Sequence, residues 1–392
     1  MSTITDVDLL ILGGGCAGLS LAMRLAQSAY AGRVAILEPR QQYLDDRSWC
    51  FWDRNDHQQS GLVSKRWRRW SFSRMNRSVR DCTADSYSYQ YVSSRDFYKR
   101  ALELIQSSSR ITLLRGETAL AVESGDGQLV VTTQTRKLRA CQIVDTRPPS
   151  ANRLGRALLH QCFLGRVVRL APDSPGAFDP LSVELMTDMK TDGHGLQFSY
   201  VLPFSPHRAL VEVTRFAPSP VPSARLEREL ETLLQRRGWQ VESVERSESA
   251  ILPMGLPLAE DSLPAGMVRA GTGGGALRAA SGYGFQRIQR WADACCASLE
   301  QGGPALGQPP ESSRQRFMDQ LFLRVLRDQP QLGPTLFEQM ADRVPGQVFV
   351  RFMSDQASWT DCVRVVASLP AYPFLRSLLY RPRHNSTRLA TP

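Results

Sequence analysis

The chain has 392 residues, 42% hydrophobic and 22% charged, with a formal net charge of +10. This is the make-up of a globular protein with room for more than one lobe, at ~100–200 residues per domain. No run approaches the ~18–20 apolar residues of a membrane-crossing helix, which excludes a helical integral membrane protein. The basic balance suits nucleic acid, an anionic membrane surface or phosphorylated ligands. No nucleic-acid motif is present, so nucleic acid is not an expected partner. The eight cysteines and five histidines include no C-x-x-C pair and no H-E-x-x-H, so thiols and no metal are expected. Met1 leads almost directly into an apolar run preceded by acids rather than a basic leader. A cytoplasmic protein, or one held on the inner face of a membrane, is expected.

In chain order, DVDLLIL (residues 6–12) is a continuous apolar run of the kind found in a buried parallel strand. GGGCAG follows, then the amphipathic LSLAMRLAQS, then the strand RVAIL ending at Glu38 and Pro39. This is a complete strand–helix–strand unit. Gly13, Gly15 and Gly18 have the G-x-G-x-x-G spacing. The first glycine permits a tight turn, the second a close approach to a pyrophosphate, the third close packing of helix on strand. The phosphates then meet the positive end of the helix, beside Cys16 and Ala17. Glu38 falls where an acid binds a ribose hydroxyl of an adenine dinucleotide.

SKRWRRWSFSR, Ser64 to Arg74, is the densest basic stretch. Its arginines beside Trp67, Trp70 and Phe72 suit either a membrane interface or a solvated strand over the core. YVSSRDFYKRALELIQ predicts a strand end and a helix capped by Ser93 or Ser94, with Asp96 in its first turn. Residues 111–147 read as a strand, a strand pair around GDG and a strand returning to the nucleotide-binding sheet, with Asp145 at its end.

From about Gln161 to Pro253 the pattern is β-rich, with FSYVLPFSP and HRALVEVTRF as adjacent antiparallel strands and a helix over Ala224–Gly238. The second of these strands carries Glu212 among Leu210, Val211 and Val213. A second glycine-rich stretch, Met267 to Leu299, predicts a short strand, a turn through Gly271, Gly273, Gly274 and Gly275, and a helix beginning near Gly282 and Tyr283. Two such elements at opposite ends of a chain indicate FAD rather than NAD. The linker GGPALGQPPESS leads to helices over RQRFMDQLFLRVLRD, PTLFEQMADRV and WTDCVRVVASL. The expected organisation is α/β: a Rossmann-like FAD-binding domain (1–160 and 261–302), an inserted β-rich substrate lobe (161–260), C-terminal helices (303–380) and a disordered tail (381–392).

Across nearly its whole length the chain resembles the flavin-dependent lycopene cyclases. GGGCAG with Glu38, DDRSWCFW, YVSSRDFY, QCFLGRVVRL, FSYVLPFSP, LVEVTRF, ILPMGLPL, RAASGYGF and RFMSDQASWTDCVRVVASLP are similar to family segments in the same order. The resemblance implies a non-redox reaction. A polyene end group is protonated, the tertiary cation closes a six-membered ring, and a proton is lost. It implies FAD in the reduced state, kept so by NAD(P)H, and a hydrophobic polyene substrate reached by peripheral membrane association. In the family, this strand carries two adjacent acids followed by threonine; here it reads Glu212-Val213-Thr214.

Protonating an alkene requires a carboxylic acid that keeps its proton near neutral pH, and burial among apolar groups raises a carboxyl pKa. Glu212 is therefore expected as the proton donor; the alternative is a structural charge paired with Arg208 or Arg215. Strand alternation places Glu212 with Leu210 and Thr214, opposite Val213. Ser281-Gly282-Tyr283-Gly284 is expected by the flavin ring. Trp49, Phe51 and Trp52 are expected in the polyene tunnel or in the core, and Thr214 beside the substrate.

Overall fold

The computed structural model describes residues 4–379 except 78, 126, 177 and 258–261. The tail read as disordered lies outside the described residues.

The strand–helix–strand unit forms as its glycines and apolar runs dictate: strand Ile4–Leu12, helix Cys16–Gln27, strand Val34–Glu38. These strands belong to a 7-stranded sheet in the order Ile111–Arg115, Val34–Glu38, Ile4–Leu12, Lys137–Asp145, Gln128–Thr132, Ala121–Gly125, with Met267–Arg269 added in parallel to Lys137–Asp145. Every residue of Val34–Glu38 is buried, as expected of a strand covered on both faces. One face packs on helices Cys16–Gln27, Ser94–Gln106 and Phe285–Glu300 through Leu9, Ile11, Leu21, Phe97 and Trp291. Ser93 caps the middle helix, its hydroxyl accepting from the Asp96 N–H. The last helix begins three residues later than the glycine pattern suggests, because Gly284 is its N-cap and Gly282 is held in the left-handed region at φ 71°.

A second 7-stranded sheet runs Val241–Met254, Leu159–Leu170, Arg208–Ala217, Gly195–Ser205, Ser182–Asp192, Arg69–Arg74, Arg80–Thr83. Helix Ser223–Arg236 covers one face, packing Leu226, Leu230 and Leu233 against Val211 and Val213. The opposite face carries Leu210, Phe198 and Phe216 toward the C-terminal helices and toward a small sheet of Ser48–Asp53, Ser88–Ser93 and Lys65–Trp67.

Two features depart from the sequence reading. First, Arg69–Arg74 and Arg80–Thr83, expected with the nucleotide-binding part, pair into the second sheet through Ser182–Asp192. Trp67, Trp70 and Phe72 are accordingly buried, and the Trp67 indole N–H donates to the Pro203 carbonyl at 3.0 Å. The basic stretch is thus two strands, Lys65–Trp67 in the small sheet and Arg69–Arg74 in the second, with arginines outside and rings in the core, and those rings offer no membrane surface. Second, the C-terminal region contains, besides helices Ser313–Asp328, Gly333–Arg343 and Trp359–Ser368, the short helices Gly346–Met353 and Ala371–Leu379. Pro345 and Pro373 punctuate the sequence there, but a proline at or just inside a helix start costs no hydrogen bond.

Candidate active site

Glu212 sits in the middle of the second sheet and is buried on the face turned toward the nucleotide-binding part. Its hydrogen-bond partner is the Thr214 hydroxyl, which donates to Oε1 at 2.7 Å. The two arginines that might have neutralised it are engaged elsewhere. Arg208 donates to Glu245 at 2.7 Å, and Arg215 lies on the other face between Asp192 and Glu229. Among the described residues Glu212 has no ion-pair partner. Burial, and next the nearby Glu248 carboxylate, push its carboxyl up to about 8, against the opposing pull of Thr214 and Arg246. At neutral pH it is therefore mostly a neutral acid.

The register explains how two carboxylates come together. Glu212 pairs with Gly165 on Leu159–Leu170, and Gly165 pairs on its other side with Glu248 on Val241–Met254. A Cβ on Gly165 would lie 3.2 Å from the Glu212 Cβ and 3.3 Å from its Oε2, so glycine leaves the room the carboxyl occupies. Glu248 is tied in place: Ser48 Oγ donates to it at 2.9 Å and Arg246 Nη1 at 3.0 Å, while Arg246 Nη2 also reaches Ser48 and Tyr91.

Glu212 and Glu248 open into a cavity of about 280 Å³. The second sheet supplies Gln161, Tyr200 and Leu210 to its lining; the segment after the second glycine turn supplies Leu277, Gly282 and Tyr283; Trp49 and Cys50 come from the small sheet. Cys16 and Thr272, one from each glycine turn, complete the wall facing the nucleotide fingerprint. Tyr283 and Tyr89 share a hydrogen bond at 3.2 Å, and burial raises the pKa of both phenols and of the Cys50 thiol. The walls are thus rich in aromatic and aliphatic groups, and the charged side chains among the lining residues are the two carboxyls and Arg47.

The fingerprint itself is built for an anion. Helix Cys16–Gln27 starts at Gly15 with no side chain capping it, and a Cβ on Gly15 would meet nothing within 4 Å. Gly18 admits the turn's backbone: a Cβ there would lie 2.0 Å from the Gly13 carbonyl oxygen. Glu38 accepts the Gly14 N–H at 2.8 Å and is paired with Arg40 at 2.9 Å, which fixes the acid at the strand end beside Pro39. In the second glycine turn, Gly271 lies against Ala17, Gly274 is packed on Ala270, and Gly275 faces open space. Asp145 is bound by Arg147 at 2.8 and 2.9 Å and serves as a structural ion pair. These residues fit the phosphates of a dinucleotide, and Cys16 and Thr272 join the fingerprint side to the cavity.

The remaining expected site residues divide. Trp49 lines the cavity. Phe51 does not: it stacks on Phe285 with ring centroids 5.2 Å apart, inside the core of the nucleotide-binding part. Trp52 is likewise core, against Tyr89 and Trp70. Thr214 is fully buried and acts through Glu212 rather than on the cavity. Val213 belongs to the apolar layer under helix Ser223–Arg236, on the far side of the sheet from Glu212. Glu248, Arg246 and Gly165 were not singled out from the sequence. The strand Val241–Met254 carries a register shift opposite Val167/Val168, so its acids do not follow a period of two.

A family model described as "Lycopene cyclase protein" matches residues 8–379. The chain belongs to the lycopene cyclase family. Its sequence is 24% identical to the lycopene beta-cyclase of Pantoea ananas, over 95% of this chain and 97% of that protein. It is 26% identical to the lycopene beta-cyclase of Pseudescherichia vulneris, over 93% and 95%. Among solved structures, a geranylgeranyl bacteriochlorophyll reductase-like protein from Thermoplasma acidophilum superposes with a TM-score of 0.60 at 10% identity, covering 96% of this chain and 99% of its own. The p-nitrophenol 4-monooxygenase of Pseudomonas putida gives 0.58 at 13% identity, covering 96% and 98%. The second likeness is one of fold. It places this lycopene cyclase family member in the α/β architecture of FAD-dependent monooxygenases and reductases, with its helices at the C-terminus.

Proposed function

We propose that the chain is a lycopene β-cyclase that binds FAD and uses Glu212 as its acid. The supporting observation is a buried carboxyl without a cationic partner, its pKa pushed up to about 8, facing an aromatic cavity that adjoins the dinucleotide fingerprint. Glu212 delivers its proton to the terminal double bond of a polyene end group. The second double bond attacks the tertiary cation, the ring closes, and the proton lost from the ring returns to the Glu212 carboxylate. Tyr89, Tyr200 and Tyr283 present faces that stabilise a cation and exclude the water that would capture it.

Gly13, Gly15, Gly18 and Glu38 would hold the phosphates and ribose of FAD, and Gly274, Gly275 and Gly282 the ring side. FAD held there in the reduced state, with NAD(P)H as electron source, would supply electron density that stabilises a cation. A cavity of about 280 Å³ takes an end group rather than a whole long polyene. An apolar groove of about 360 Å³ between helices Ser313–Asp328 and Ala371–Leu379 shares Ser281 with the cavity and would take part of the remaining chain.

The exposed side of the last two helices supports the membrane expectation. Trp359, Tyr372 and Leu379 are 71%, 72% and 84% exposed on the last two helices. No single helix among the described residues is long and apolar enough to cross a membrane; these two meet at 100°. They would rest on the cytoplasmic leaflet. The reading is tested in a lycopene-accumulating host. Cells making the chain should accumulate β-rings, cells making Glu212→Gln should not, and both purified proteins should be yellow. Substrate-dependent NAD(P)H consumption with incorporated oxygen would instead assign a monooxygenase.

A further inference from the structure

The mechanism leaves one buried acid without a task. Glu248 lines the same cavity as Glu212, directly across Gly165, and is held by Arg246, Ser48 and, through them, Tyr91. A purely structural ion pair has no need of a cavity, a facing carboxyl or a glycine between the two. We propose that Glu248 is the positioning residue of the site: facing Glu212 across a residue with no side chain, its anion keeps the proton on Glu212 until the alkene takes it.

The charge balance supports this role. Burial pushes the Glu248 carboxyl up as well, but Arg246 at 3.0 Å, the Ser48 hydroxyl at 2.9 Å and the charge of Arg47 favour its anion, so before transfer the one negative charge of the pair is held on Glu248. Transfer breaks the Glu212 O–H bond and forms a C–H bond from the alkene π pair. It leaves Glu212 as a carboxylate and the substrate as a cation. Two carboxylates then face the cation, and their mutual repulsion favours return of the ring proton to Glu212, which resets the acid. Repulsion of this kind is what separates the two protons of a carboxylate pair.

The other groups around Glu212 do not compete for this role. Tyr89, Tyr200, Tyr283 and Cys50 are kept neutral by burial. Of the two cations nearby, Arg246 lies against Glu248 at 3.0 Å and Asp45 at 3.7 Å, and Arg47, which also lines the cavity, donates to the Asp46 carbonyl at 2.9 Å and adds its charge in favour of the Glu248 anion.

The inference rests on Glu212 being the acid, and the test separates the two. In the FAD-loaded protein without substrate, the Glu212 carboxyl is followed by its infrared C=O band, identified as the band missing from Glu212→Gln. Turnover is followed in parallel from pH 5 to 9. Glu248→Gln removes the charge at nearly constant shape. The Glu212 midpoint and the alkaline limb of turnover should both fall by about one pH unit, with turnover at low pH changed far less. Glu248→Asp draws the anion back and should give a smaller shift in the same direction, which reads the effect even if the Gln variant fails to fold. Midpoints that stay put in both variants overturn the proposal. A shifted infrared midpoint in a protein that forms no rings would leave the role of Glu248 standing and overturn the cyclase reading.

Discussion

The two faces of the second sheet treat a buried charge in opposite ways. On the face under helix Ser223–Arg236, Arg215 is 1% exposed and completely answered: Asp192, Glu229 and Gln197 all accept from it. The pairing holds Asp192 down to about 2. On the other face, three residues earlier, Glu212 is also buried and receives one hydroxyl. A compensated ion holds a fold together and has no tendency to react. An uncompensated acid keeps its proton and gives up stability to do so. The position of the countercharge, rather than burial alone, distinguishes structure from chemistry on this strand.

The largest effect is expected at Glu212. Glu212→Gln should reduce ring formation by about 10²–10⁴-fold, the usual contribution of a general acid. Its stability profile should change too. The folded pKa of about 8 lies above the ordinary value of 4.5, so between those values the unfolded chain releases a proton that the folded chain keeps. Stability therefore falls as pH rises through that window, and thermal melts of Glu212→Gln should lose that part of the slope. Arg215→Met should do the reverse, costing roughly 1–3 kcal/mol in denaturant melts through the lost charge-assisted hydrogen bonds, since Arg225 still pairs with Asp192 and Glu229, with the Glu212 titration unmoved. Val213→Glu, which restores the family's adjacent acids, should also cost a few kcal/mol. It places a charge among Val211, Leu226 and Leu230 rather than in the cavity. Faster turnover or a changed product from that variant would show that the far face takes part after all.

The parts of this arrangement that were legible in the sequence are those whose cause is local. The fingerprint is contiguous: turn, helix start and strand-end acid follow within one unit, and each glycine answers a backbone demand. Glu212 was legible because one acid interrupts an apolar strand. Glu248 was not, because it lies in the polar run VESVERSES with two other acids, so no apolar alternation singles it out, although Glu248, Ala250 and Leu252 do share the cavity face. Phe51 and Trp49 lie on a strand covered on both sides, where alternation cannot say which side is cavity. The 64–74 stretch left two options open for a related reason: arginine density suits either a membrane surface or a strand over the core, and only the sheets that it joins turn its rings inward, Trp67 from the small sheet and Trp70 and Phe72 from the second.

The smallest expected effect comes from Thr214 and bears most directly on the comparison. Its hydroxyl donates to Glu212 Oε1 and so favours the charged form. If Glu212 belonged to the structural class, Thr214→Val would simply lose a hydrogen bond worth about 1 kcal/mol and leave the pH profile alone. If Glu212 is the acid, removing the donor strips the carboxylate of its one direct partner. Its pKa should then rise further above about 8, and the alkaline limb of turnover should move up, opposite in direction to the shift expected for Glu248→Gln. Valine preserves the shape and the β-branched fit to the strand, so the folded sheet should persist. Rate profiles that shift in opposite directions for two substitutions flanking the same carboxyl would tie the limb to Glu212. An unmoved limb in Thr214→Val would assign it to another group.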